Sequence, residues 1–166
     1  MDDWQGLRLA AVIVAWVTVA GGLILALTWL ALGGGRAIGP EDELMAQAGV
    51  PVSRPERRRT ALSSAQVGLH GLFGITTAGL LTYAAARSDD RTSGYWAVLV
   101  VAAITAVPGL LMFRKWRSSR RPRSGPDSAG GRGAKVEDRL PRPVVYLHGL
   151  AAVSVVALVV VLLAVE

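Results

Sequence analysis

The 166-residue sequence has no cysteine, only two histidines and just 6% aromatic residues. Without Cys there can be no disulfide, no thiolate metal centre and no cysteine nucleophile. No Asp or Glu interrupts any of the long apolar runs. That removes the intramembrane carboxylates a proton relay would need, and the third protein ligand that a catalytic zinc site usually needs. Copper would want Cys or a placed Met, and only Met112 lies near a span. No P-loop, GxSxG or HExxH occurs. The chain is not expected to be an enzyme on its own.

What the chain has in quantity is apolar length. It is 52% hydrophobic with a mean hydropathy of +0.42. The apolar residues come in blocks of Ala, Val, Leu and Gly with the charges between them, which is the composition of a membrane protein. A bilayer core of ~30 Å takes about 20 residues of helix at ~1.5 Å each. Four runs satisfy this, at residues 9–32, 61–86, 94–113 and 143–165. Each is predicted to be a helix, because lipid-facing backbone can be satisfied within its own segment no other way. The first run is too long for a signal peptide, and Asp2 and Asp3 stand where a basic region would be, so it is read as a retained span. The predicted fold is an all-α integral membrane domain, a four-transmembrane-helix bundle.

The net charge of +6 does not point to nucleic acid, because the excess Arg lies beside the spans. Fifteen of the 18 basic residues fall in the loops between spans one and two and between spans three and four. The positive-inside bias therefore predicts two cytoplasmic loops, with both termini outside the cell membrane. The preference for Arg over Lys hints at a bacterial inner membrane. Residues 117–139 are Arg, Ser, Gly and Pro with almost nothing apolar, and are expected to be a disordered cytoplasmic loop. A short helix is expected at Glu41–Ala48. Trp4, Tyr83, Tyr95 and Trp96 are expected at the outer interface, and Trp29, Trp116 and Tyr146 at the inner one.

Both histidines lie within spans, in the matching contexts Leu69-His70-Gly71-Leu72 and Leu147-His148-Gly149-Leu150. The match reads as an internal repeat of a two-helix unit. Spans two and four run parallel, which puts the imidazoles at one height near the cytoplasmic face. Two histidines on neighbouring helices can ligate haem iron from opposite sides. Gly71, Gly74 and Gly149 would give room beside the ligands, and Pro108-Gly109 could widen the interior at that height. Propionates would find Arg58, Arg59, Arg139 and Arg142 at the nearer interface. The competing reading keeps both histidines structural, hydrogen-bonded near the interface, in a cofactor-free scaffold or assembly subunit of a larger complex.

On these two LHG sites and the four-span plan, the chain resembles small bis-histidine b-type membrane cytochromes, the cytochrome b561-like group in the broad sense. The resemblance implies haem b ligated by His70 and His148, and electron exchange with a quinone or another reductant. It departs from the group's usual four histidines and two haems, since this chain could hold one. It therefore implies a subunit or accessory of a larger membrane complex, or a homo-oligomer, more than a complete transmembrane conductor.

Overall fold

The computed structural model describes residues 3–34, 48, 60, 62–87, 91–119 and 136–165. Four helices carry the chain: α1 (Asp3–Ala31), α2 (Ser64–Ala86), α3 (Arg91–Ser119) and α4 (Arg142–Val165). A 3-10 turn at Val136–Arg139 precedes α4. All four helices are long and apolar enough to cross a bilayer, so the chain is a multi-pass membrane protein with an all-α bundle. The two long connections leave from one end, called here the loop end.

Two helix ends run six residues past the expected spans, the start of α1 at Asp3 and the end of α3 at Ser119. α3 continues six residues beyond Phe113, through Arg114, Lys115 and Arg117. Hydropathy marks where apolar residues stop, whereas a helix can run on while long cationic side chains reach the polar boundary. Residues 117–119 are thus helical and 136–139 form a packed turn, both within the stretch expected to be disordered. The rest of that stretch, residues 120–135, and residues 41–47 of the expected loop helix lie outside the described residues.

The ends of the helices follow from local chemistry. At the end of α1, Gly33 has φ 93°. Its N–H bonds to Leu30 O, while the Gly34 N–H bonds to Trp29 O at 2.8 Å. This pattern needs a residue that enters the left-handed region without strain. α2 starts with a reciprocal cap, Ser63 accepting from the Gln66 N–H and Gln66 from the Ser63 N–H, so two otherwise unpaired donors are satisfied.

The helices form an antiparallel ring in which α1 packs on α2 and α4, and α3 packs on α2 and α4. α2 and α4 therefore stand on one diagonal, α1 and α3 on the other. Inward stripes follow helical spacing. α1 turns Ala11, Ala15, Thr18 and Gly22 to the interior, and α3 turns Val98, Ala102, Thr105 and Gly109. α2 buries Thr77, Leu81 and Ala84, and α4 buries Val155, Val159 and Leu162. Outside, residues such as Leu23, Leu72, Val107 and Leu150 are exposed, as lipid-facing positions are in a bundle with no aqueous side.

The interior has two apolar clusters. One, far from the loop end, gathers Ala11, Ala15, Leu81, Tyr95, Val98, Val159 and Leu162. The other, at the loop end, is built from Trp29, Leu62, Trp116, Val136 and Leu140. Tyr95, Trp29 and Trp116, expected near the membrane interfaces, are buried within the bundle toward its two ends. Each lies on a stripe that faces a neighbouring helix, and large aromatic area contributes more inside a packed cluster than at its rim. Tyr83, Trp96 and Tyr146 remain exposed.

Candidate functional site

The layer between the two clusters is where both histidines lie. His70 and His148 are each the seventh residue of their helices, about 9 Å along the axis from the start. The two rings come together across the α2–α4 diagonal, with centroids 6.1 Å apart and planes at 84°. Matched height on parallel helices, as expected from sequence, brings them into direct contact.

Each imidazole is anchored to a helix of the other diagonal. His70 Nδ1 lies 3.1 Å from Thr105 O of α3. His148 Nδ1 lies 3.0 Å from Thr18 O of α1. A carbonyl only accepts, so both Nδ1 atoms carry the proton, and each Nε2 keeps its lone pair. A neutral imidazole whose far nitrogen donates to a carbonyl has the tautomer and fixed orientation of a metal ligand. Both threonines bond back within their own helices in the same way. Thr18 Oγ1 donates to Val14 O and Thr105 Oγ1 to Val101 O, each at 2.7 Å.

Four residues beyond each threonine, a glycine cradles the ring. A Cβ placed on Gly109 would stand 2.7 Å from His70 Cε1, and one on Gly22 would stand 3.0 Å from His148 Cε1. A Cβ on Gly21 would stand at ordinary contact distance from His148, 3.6 Å from Nδ1. Pro108 sits inside α3 beside Gly109 without ending the helix.

The glycines beside the histidines in sequence are placed differently from the expectation. Gly71 and Gly149 are exposed, and a Cβ on either would meet nothing within 4 Å. Each is one residue past its histidine, so it points about 100° around the helix from the imidazole. Gly74, one turn beyond His70, is half-buried and also meets nothing; it leaves space in the layer without holding a ring. Arg139 and Arg142 are exposed at the loop end, while Arg58 and Arg59 lie outside the described residues. The polar contact present near the site is another one. Lys115 Nζ donates to Gln66 Oε1 at 2.8 Å, and Gln66 lies one turn before His70 on the same face.

The cradles belong to an internal duplication. α1 and α3 correspond at a spacing of 87 residues: Thr18 and Thr105, Gly22 and Gly109, Leu23 and Leu110, Trp29 and Trp116, Ala15 and Ala102. α2 and α4 correspond at 78 residues, which pairs Leu62 with Leu140, His70 with His148, Thr77 with Val155 and Leu81 with Val159. Burial follows the pairing, since Trp29 and Trp116 are both buried, as are Leu62 and Leu140. The bundle thus has an approximate twofold axis along its length that passes between the imidazoles, an arrangement of parallel repeats known in membrane proteins.

The loop end is closed by the turn at residues 136–140. Glu137 is fully buried there. Its Oε1 accepts from the Trp29 indole at 3.3 Å, from the Leu62 N–H at 3.1 Å and from the Thr60 hydroxyl. Burial pushes the Glu137 carboxyl up, but these donors outweigh it and hold the group below its ordinary value, so it stays ionised at neutral pH. Among the described residues no group of three His, Cys, Asp or Glu comes together. Comparison with known proteins found no matching family model, no matching curated protein and no matching solved structure.

Proposed function

We propose that the chain is a b-type haem-binding membrane subunit or accessory protein of an electron-transfer complex, with iron ligated by His70 and His148. The observation that carries this reading is the paired imidazoles. Their centroids are 6.1 Å apart, with both Nδ1 protons committed to carbonyls and both Nε2 lone pairs left over. A metal bonded at ~2.0 Å to a nitrogen of each ring sets the ring centres about 6 Å apart. Gly22 and Gly109 fit the same role, because any side chain there would displace a ligand.

Haem held by His70 and His148 would supply one-electron transfer. The chain's part is to fix the two imidazoles, to choose their tautomer, and to keep water away with an apolar cluster on either side. The Arg-rich connections support a loop end that faces the cytoplasm of a bacterial cell, with the other end outside. The relationship to cytochrome b561-like proteins, a quinone as redox partner and a larger host complex belong to the same proposal.

A second reading has its own support. The two Nδ1 bonds already tie α2 to α3 and α4 to α1, so the histidines could serve as staples in a cofactor-free scaffold. Absorption separates the two. Protein expressed with haem supply and purified in mild detergent should show a Soret band and sharp reduced α and β bands. His70→Ala and His148→Ala should each abolish the low-spin spectrum. A colourless wild type with no pyridine haemochrome would leave the scaffold.

A further inference from the structure

The twofold correspondence is broken next to the histidine layer. Lys115 corresponds to Thr28 and Gln66 corresponds to Val144. One half therefore carries a cation bonded to an amide, Lys115 Nζ to Gln66 Oε1 at 2.8 Å. The other half carries a hydroxyl turned back to its own helix, Thr28 to Ile24 O, and an aliphatic Val144. Both Lys115 and Gln66 are half-buried. Gln66 is one turn, ~6 Å, from His70 toward the loop end, and Lys115 is six residues beyond Gly109 in the same direction.

Lys115 is half-buried, and the one neutral amide oxygen it meets takes up one of its ammonium's three donors. A carboxylate in place of that amide would complete the contact with a charge-assisted bond. Arg139 and Arg142, the described arginines expected to meet such a group, are exposed.

We infer that Lys115, positioned by Gln66, is the anchor for one carboxylate of the bound macrocycle, and that it fixes the macrocycle's acidic edge toward the loop end. This rests on the haem reading of His70 and His148. The anchor is one-sided: the second carboxylate, near Thr28, has no cation of equal standing among the described residues.

Ferric protohaem and its dimethyl ester, which lacks the charged carboxylates, can each be titrated into haem-free protein in detergent. Wild type should bind protohaem more tightly than the ester. Lys115→Met should weaken protohaem about tenfold, the value of one partly exposed charge-assisted bond. It should leave the ester unchanged, and Lys115→Arg should restore most of the loss. Equal loss for both haems, or no loss for either, with low-spin spectra retained, would overturn the anchor and leave the bis-histidine site standing. Absence of a low-spin spectrum with either haem in wild type would instead remove the haem reading, and the anchor with it.

Discussion

The two halves of this bundle, α1–α2 and α3–α4, agree around the paired imidazoles and differ in the helix cap and the polar contact nearer the loop end. At the axis they share threonine carbonyl, glycine cradle, imidazole and tryptophan, residue for residue. Away from it they diverge. The first half caps its second helix with Ser63 while the other has Pro141 at that place, and Gln66 faces Lys115 where Val144 and Thr28 correspond. Agreement around the imidazoles marks where geometry is constrained from both sides at once. A side chain that touches its own repeat-mate, as His70 touches His148, cannot change without changing what the other half must fit.

The comparison can be broken most severely at Glu137, which ties the turn before α4 to α1 and to the start of α2. Glu137→Ala should cost about 2–4 kcal/mol, because the Trp29 indole, the Leu62 N–H and the Thr60 hydroxyl all lose a charged acceptor. The first two keep only the Thr60 oxygen, and a hydrogen bond to a charged group is worth ~1.5–3 kcal/mol. The effect should depend on pH. With the folded carboxyl held below its ordinary value, the stabilisation is full above the unfolded value and is lost as pH falls through the folded one. Unfolding of wild type and Glu137→Gln in detergent should therefore differ at neutral pH and converge in acid. A gap that widens on acidification would reverse the assignment.

Next come the cradles. Gly109→Leu and Gly22→Leu should each cost about 1–3 kcal/mol by overpacking. The first should cost more, since its Cβ would start 2.7 Å from the ring against 3.0 Å. Thermal unfolding gives the two numbers directly. Tolerance at both positions would mean the imidazoles are not confined there.

The smallest effect belongs to Gly71 and Gly149. Leu at either should change stability by less than about 0.5 kcal/mol, as substitutions away from packed features do. A large loss at either would show that this outer face packs against something other than lipid.

Most of the fold is legible in the sequence because lipid imposes one solution on an apolar run. The extra turns of α3 are not, since Arg114 and Lys115 end the apolar signal before the backbone ends its helix. Of the site, the histidines stand out because a polar ring in a span is rare. Of their supports, only Gly109 stands out, through its neighbour Pro108. Gly71 and Gly149 attract notice by adjacency, yet helical pitch turns them away, while the residues that matter are in helices 35 and 130 positions distant. The signal for them was present, as Thr, Gly and Trp recurring at spacings of 4 and 7 in α1 and α3. It was masked because α1 and α3 repeat at 87 residues and α2 and α4 at 78, so no single offset aligns the halves.

That mismatch of nine residues is taken up wholly by the long connections, since the helices keep register within each pair. α1 begins at the end where α4 finishes, and the two pack side by side as α2 and α3 do. α2 and α3 are joined there by only a few residues. Topologically the protein is a closed circle of four segments, opened at one of two equivalent places. A chain opened between α2 and α3, with α4 run into α1 by a similar short turn, would set the same imidazole against the same carbonyl. The order in which ribosome and membrane meet the segments is therefore separable from the architecture they reach.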